Sequence, residues 1–519
     1  SPSHSLANGM GWRDGGPQGA HDLSRVRTVK ALLAGLCCLV CCGFCHFSSW
    51  AAFLLTARTG SLRFRKVPVR CAQQQGEADG FSWAMLQEMA VGFEQKYIAT
   101  GQLKGALLAV VSKGEVVGLW ELGQYTSDTV FKLYSITKVF TAIAGLQVCE
   151  DAGISLEAPI SSLVPEWSEE LDGEGAAEPI RVRHCLTHTA GFSNALPTVH
   201  PVDSLRPTEL RRLRERRSGL RKPPKDLREM VSRESGQPRI FAPGQHFNYC
   251  GVGSQLIARM VEEASGLNIA EYMRQRILEP AGMTSSGFTI DKSLSESCVS
   301  ADYHPWVLPA VADGLAGSRW SRWRLRARAA WGRLRGLHIV DDLKPAGSGV
   351  ISPLLLWDRS LKLFQPDAGL VGTGADFVRF LKAVTDEEGN NSVFSPYVLG
   401  SLASPVTPEL QAPFALDAVS IRGRLFPVRG DKLPRQPLRP FNSFAGQKFS
   451  LGASVVVEPE KVGLPPRAAG TWHWMGFAST YFFVNPKEKL AACFLTQLIS
   501  HRTYPIHDEL MKGVYDSLL

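Results

Sequence analysis

Ser135-Ile136-Thr137-Lys138 places a hydroxyl and an amine three residues apart. The tetrapeptide stands where a short, mostly apolar lead-in from Phe131 gives way to a helical pattern. One helical turn sets such a pair side by side. The helix N-terminus adds free backbone N–H groups and a partial positive charge. A weak nucleophile beside a potential base is the minimum equipment for covalent acyl transfer. An N-cap serine followed by a surface lysine has the same spacing, so the four residues need company before they imply chemistry.

Two later segments supply it. Phe241-Ala-Pro-Gly-Gln-His-Phe-Asn-Tyr-Cys-Gly251 leads into an amphipathic pattern that runs to Gly266. Thr471-Trp-His-Trp-Met-Gly-Phe-Ala-Ser-Thr480 precedes an apolar stretch from Tyr481. In order and spacing, Ser135-x-x-Lys138 and these two segments resemble the three motifs of the serine β-lactamase/penicillin-binding-protein-like superfamily. Connecting stretches match as well. Ile180–Gly191 resembles that family's "hLLTHTSG", Leu278–Thr284 its "EPLGMT", and Gly369–Phe380 its "GLVSTAxDxARF". The six ordered blocks span roughly residues 85–515.

The resemblance implies a serine hydrolase. Ser135 attacks an ester, thioester or amide carbonyl, and water or an alcohol then releases the acyl group. A serine hydroxyl needs a base at neutral pH, and Lys138 and Tyr249 are the candidates. Lys138 serves only if desolvation or neighbouring positive charge lowers its pKa; Tyr249 as a phenolate needs a nearby ammonium. The expectation is that the two share the role through a hydrogen bond. The backbone N–H of Ser135 is one oxyanion donor, and the resemblance assigns the other to Phe477. Gly476 fits a close backbone approach to substrate.

Departures from the family pattern narrow the substrate. Tyr-x-Asn of the lactamases and transpeptidases is here Tyr249-Cys250-Gly251, which lacks the amide that contacts an acylamide substrate. Lys-Thr-Gly is here Trp474-Met475-Gly476, which lacks the cation that attracts a carboxylate. A Trp-x-Gly third motif resembles the esterase branch and the acyltransferases that load a short acyl chain onto an alcohol. Trp472 and Trp474 would form an apolar pocket. The leading reading is therefore a carboxylesterase. Acyl transfer to an alcohol, a β-lactamase or D-amino-acid peptidase, and a non-catalytic scaffold or filament protein of the same fold are the alternatives. His473 alternates with Trp474 on a strand and reads as structural. His184 and His188, four apart, lack a third ligand, so no metal and no cofactor is expected.

The elements that must position these residues follow from periodicity. Helices are expected near Trp83–Thr100, from Ser135 to Asp151 and near 506–518. A hairpin joins 105–112 to 115–122 through Lys113-Gly114, and strands lie near 449–457, 472–484 and 489–498. Strands at both ends with helices between them give an α/β (α+β) fold: an antiparallel sheet formed by both chain ends, flanked by helices, with a large, mostly helical lobe inserted. The resemblance implies the same β-lactamase/transpeptidase-like arrangement, with the site in the cleft between lobes.

Residues 83–519 make up this domain, with insertions near 200–237, 310–350 and 405–445. Residues 1–82 read as a targeting leader or membrane anchor, because residues 31–57 lack any charged side chain and suffice to cross a bilayer. Basic residues flank both sides, which leaves orientation open. The run followed by a Ser/Arg-rich, acid-free stretch also resembles the bipartite leaders of algae with complex plastids. A membrane-associated or organellar location (plastid or mitochondrion) is the expectation, with the secretory pathway as the alternative. The net charge of +8 is local: 206–228 carries ten Lys/Arg against three acids, and 319–335 seven Arg and no acid. Such runs usually mark solvated insertions. Trp320, Trp323 and Trp331 interleave with the arginines, but no nucleic-acid motif accompanies them, so no nucleic acid is expected and a membrane surface suits 319–335 better. The eleven cysteines lack zinc or disulfide spacing.

Overall fold

Lys113 and Gly114 both take positive φ, 52° and 78°, as a two-residue hairpin turn between right-handed twisted strands demands. They join β2 (Gly105–Ser112) to β3 (Glu115–Gly123), the first long hairpin of the sheet. The computed structural model describes residues 70–74, 80–168, 178–192, 224–236, 239, 241–289, 302–303, 339–340, 365–386, 393–407, 446–499 and 504–519. All of them fall within one compact unit, Lys66–Leu519.

Among the described residues, eight strands form one antiparallel sheet. Besides β2 and β3 it contains β1 (Arg70–Gln74), β6 (Gln447–Phe449), β7 (Ser454–Val456), β8 (Trp472–Met475), β9 (Tyr481–Asn485) and β10 (Leu490–Leu495). Their order is β1-β3-β2-β10-β9-β8-β7-β6. The two chain ends meet at β2–β10, where Leu107 faces Leu495 and Ser112 faces Leu490. The sheet reaches upstream of Trp83: Arg70–Gln74 pairs with β3 at its edge, a short segment without the alternation that marks a strand in sequence.

Side-chain alternation loads both faces of this sheet. On one face lie the terminal helices α1 (Trp83–Phe93) and α6 (Ile506–Asp516). Phe93 meets Phe494 at 5.0 Å, and Tyr515 stacks on Phe483 at 5.9 Å. Ser82 N donates to Ser517 O and Leu519 N to Gly80 O, which ties the two helices together. The other face takes α2 (Thr137–Ala152) and α5 (Gly374–Thr385). Phe140 packs on Phe380 at 4.8 Å, and Phe377 on Phe482 at 5.5 Å.

Helix α2 is buried on all sides from Thr137 to Cys149, as expected of a helix apolar around its circumference. It crosses α4 (Val252–Ser265) so tightly that a Cβ on Gly145 would sit 2.5 Å from Ile257 Cγ2. Two single strands expected from apolar runs are hairpins. The 449–457 run folds at Gly452, φ +135°. The 472–484 run turns at Gly476–Thr480, where Ser479 adopts φ +64° and donates its N–H to Gly476 O. No Gly-Asn or Pro-Gly pair announces that second turn, so the pattern alone misses it.

The segments 200–237, 310–350 and 405–445 lie mostly outside the described residues, apart from pieces such as the helix Leu227–Glu234. The 31–57 run and Trp320, Trp323 and Trp331 lie wholly outside them. No helix among the described residues is long and apolar enough to cross a membrane. Cys149, Cys185, Cys250 and Cys493 are buried and take part in no disulfide.

Candidate active site

Ser135 does not open α2. It sits in the middle of a 3-10 turn, Tyr134–Ile136, and α2 starts at Thr137. Tyr134 holds φ +47°, a conformation that is costly for an aromatic residue and persists only where the surroundings over-determine it. They do so here from two sides. Leu133 N donates to Leu370 O, and Leu370 N donates to Thr137 Oγ1 at 3.1 Å. Upstream of the turn, β4 (Val130–Lys132) pairs with β5 (Val371–Thr373). From the sheet, the Phe477 ring meets Tyr134 edge-on at 6.4 Å, and Thr480 Oγ1 donates to Leu133 O at 3.5 Å. Ser135 is left half-buried on this elbow.

Lys138 follows on the first turn of α2, only 7% exposed. Its Nζ donates to the Asp367 carbonyl at 2.6 Å and lies 3.9 Å from Asp367 Oδ2. The same Nζ sits 4.9 Å from the centre of the Tyr249 ring, in cation–π range. Burial works to lower its pKa, but the Tyr249 phenol and then the Asp367 carboxylate outweigh that effect, and the net direction is upward. Lys138 is thus held as an ammonium. The condition under which the sequence allowed it to act as a base, a lowered pKa, is not met.

Tyr249 lies just before α4, whose N-cap is Gly251. Its loop is pinned where Asn248 N donates to His188 O at 2.8 Å. The Tyr249 ring contacts His188 at 4.7 Å and Trp474 at 5.4 Å, and Trp474 packs on Phe449 at 5.2 Å. Tyr249 Oη, Trp474 Nε1 and His188 Nδ1 are all sealed from solvent without a well-aligned hydrogen bond. Lys138 engages the Tyr249 hydroxyl and the Cys250 backbone engages His188, which leaves Trp474 Nε1 as the buried donor of this cluster without a partner among the described residues. Burial, and then the Lys138 charge, push the His188 pKa down to about 3, so its imidazole is neutral.

The sheet contributes backbone. Gly476 N donates to Thr480 O, closing the β8–β9 hairpin with Phe477 at its tip. A Cβ on Gly476 would strike Thr480 Oγ1 and come within 2.5 Å of Leu133 O. The close approach that requires glycine is therefore to the chain two residues before Ser135. Seated this way, the tip holds Phe477 against the Tyr134–Ile136 turn. Trp474 stands beside Tyr249, but Trp472, expected to share a pocket with it, is 1% exposed and packs into the core against Phe482 at 5.5 Å. Its ring is two residues further from the hairpin tip, over the α5 side of the sheet. His473 points to the opposite face, where Nε2 meets Gln447 Oε1 at 3.1 Å.

His184 and His188 serve different partners. The Arg181 backbone N–H donates to His184 Nδ1 at 3.2 Å, capping the short helix Val182–Leu186. Burial, and then Arg183 and Arg181, bring the His184 pKa down to about 4. No cluster of three or more His, Cys, Asp or Glu suited to a metal lies among the described residues. Sequence reasoning missed Asp367 and the aromatic contact of His188. A lone acid in Gln365–Gly369, just before the Gly369–Phe380 block, was the available signal for the former.

The beta-lactamase family profile matches residues 91–510. The chain belongs to the beta-lactamase family. Among its relatives, Esterase EstB of Burkholderia gladioli is 29% identical over 76% of this chain and 86% of that protein. Lovastatin esterase of Penicillium rubens is 29% identical over 48% of this chain and 66% of that protein, just under two thirds of its length. Among solved structures, EstCE1, described as a hydrolase with promiscuous acyltransferase activity, superposes with a TM-score of 0.57 at 16% identity. That likeness covers 84% of this chain and 98% of the other, and it shows the shared fold. The family is one of serine hydrolases with the β-lactamase fold.

Proposed function

We propose that the protein is a carboxylesterase that cleaves uncharged esters through a Ser135 acyl-enzyme. The observation that carries this reading is the Lys138 ammonium, buried against Tyr249 one turn from Ser135. The Lys138–Tyr249 pair acts as one unit in its ammonium–phenolate form. Tyr249 takes the Ser135 proton as Oγ bonds to the carbonyl carbon. The developing oxyanion is met by the backbone N–H groups of Ser135 and Phe477. When the C–O bond breaks, Tyr249 returns the proton to the leaving alkoxide. Water, deprotonated by the same phenolate, then attacks the acyl carbon; as the bond from that carbon to Ser135 Oγ breaks, Tyr249 passes the proton to Oγ and the carboxylic acid leaves.

The named activities of EstB and lovastatin esterase support an ester substrate. Trp474 stands where a cation would attract a carboxylate, and Gly251 offers no side chain to an acylamide. Parallel kinetics on p-nitrophenyl butyrate and nitrocefin test this reading. A much higher kcat/KM for the ester is expected; a higher value for nitrocefin overturns it.

A second reading, acyl transfer to an alcohol, draws on the apolar wall of Trp474, Tyr249 and Phe449, which suits an alcohol better than water. The promiscuous acyltransferase activity of EstCE1 points the same way. Added butanol should then divert p-nitrophenyl butyrate turnover to butyl butyrate; butyrate alone at every butanol concentration rules it out. For location, we infer delivery to a membrane or organelle through residues 31–57, on their length and lack of charge. Alkaline carbonate extraction separates an anchored full-length band from a shortened soluble one; a full-length soluble band contradicts both.

A further inference from the structure

Gly251 gives the second motif no side chain, yet the space beside it is filled. A Cβ built on Gly251 would lie 2.5 Å from Asp367 Oδ2 and 3.2 Å from its Cγ. Asp367 reaches this place from the Gln365–Gly369 turn, closed by Gly369 N donating to Gln365 O at 2.8 Å. The turn is fastened to α2 at three points. Thr141 Oγ1 donates to Pro366 O, Lys138 Nζ donates to Asp367 O, and Thr137 Oγ1 accepts from Leu370 N. The same turn thus presents Lys138 with a carbonyl at 2.6 Å and a carboxylate oxygen at 3.9 Å.

We propose that Asp367 is the positioning residue of the Lys138 ammonium, supplying from a separate turn the polar side chain that Gly251 leaves out of the second motif. The proposal rests on the reading of Ser135 as nucleophile. The groups that face Lys138 are Tyr249, Asp367, Cys250 and His188. Burial pushes the Cys250 thiol up to about 11 and, with Lys138, the His188 imidazole down to about 3, so both are neutral at pH 7. Asp367 is the carboxylate of the group and acts beside Tyr249. It adds to Tyr249 in keeping Lys138 charged, and it places a negative charge beside Gly251 that disfavours anionic acyl groups.

The test compares the wild type with the isosteric Asp367→Asn, with Asp367→Gly, and with the exchange Asp367→Gly/Gly251→Asn. Three readouts are used: the pH profile of kcat/KM for p-nitrophenyl butyrate, fluorophosphonate labelling of Ser135 across the same pH range, and turnover of mono-p-nitrophenyl succinate. For Asp367→Asn the alkaline limb of both profiles should move to lower pH, because Lys138 loses a partner that raises its pKa. The kcat for butyrate should fall on the order of tenfold, with KM little changed, while the ratio of succinate to butyrate turnover rises. The exchange variant should recover part of what Asp367→Gly loses. Profiles of Asp367→Asn that overlay those of the wild type overturn the proposal, as does an exchange variant no better than Asp367→Gly. Wild-type protein unlabelled at Ser135 removes the underlying catalytic reading too; labelling that is intact and insensitive to Asp367→Asn removes this inference alone.

Discussion

The two walls that flank Ser135 are built from different materials. On the sheet side the wall is backbone: the hairpin tip at Gly476–Thr480 lies against Leu133, and glycine is needed because a side chain would collide with a carbonyl oxygen. On the helical side the wall is side chains: Lys138, Tyr249, Asp367 and His188, gathered from four separate stretches of chain. A backbone wall can offer N–H groups to a charge developing on substrate, and it tolerates almost no volume. A side-chain wall can hold and move a proton, and its members adjust to one another's charge.

Mutations should separate the walls, and Ser135 between them should give the largest effect. Ser135→Ala should lower ester kcat by several orders of magnitude, measured as steady-state p-nitrophenyl butyrate hydrolysis. Next come the proton-handling groups: Lys138→Ala and Tyr249→Phe should each cost about 10²–10⁴-fold in kcat, as expected for loss of positioned acid–base chemistry. Gly476→Ala attacks the other wall. Leu133 O is a backbone atom and cannot swing aside, so the Phe477 tip must shift, at a cost of about 10²-fold in kcat. Its distinguishing mark is an unchanged pH profile, because no titrating group has moved. A Gly476→Ala profile shifted like that of a side-chain variant would erase the contrast between the walls.

That contrast also explains what could be read in the chain. The Ser-x-x-Lys spacing, the Phe-x-Pro-Gly lead to Tyr249 and the Trp-x-Gly strand are local signals, and they single out Ser135, Lys138, Tyr249 and the strand that carries Trp474. The sheet closed by both chain ends followed from strands at each end of the sequence, and the structure places β2 beside β10 accordingly. Long-range contacts were not legible. Asp367 meets Lys138 across 229 positions, and no period or motif encodes that meeting. The contact of Gly476 with Leu133 was hidden for the same reason, since only the folded chain reveals it. Trp472 and Trp474 look alike in sequence, but two residues of offset along β8 put one in the core and the other beside Tyr249. Tyr134, with its positive φ, reads in sequence as an ordinary aromatic.

Smaller effects sharpen the side-chain wall. Trp474→Phe keeps an aromatic surface against Tyr249 but removes the buried Nε1 donor. About a tenfold loss in kcat/KM is expected; a loss confined to kcat with KM unchanged would place that donor in the transition state rather than in substrate binding. His188 is buried neutral, and its folded pKa of about 3 lies below the unfolded value near 6.5. Its contribution to stability is complete above about pH 6.5. As pH falls below that, the unfolded chain takes up a proton that the folded one refuses, and stability is lost progressively toward pH 3. His184, at about 4, adds in the same direction. Urea midpoints should therefore drop between pH 6.5 and 4, and His188→Phe should flatten the slope. An equally steep slope in that variant would mean His188 is not the group refusing the proton.

Fluorophosphonate labelling followed by peptide mapping tests the central claim most directly, since it reports the identity and the activation of the nucleophile together. The label should fall on Ser135, in the tryptic peptide Leu133–Lys138, and should vanish in Ser135→Ala. Label on another serine, or undiminished labelling of Ser135→Ala, would contradict the account.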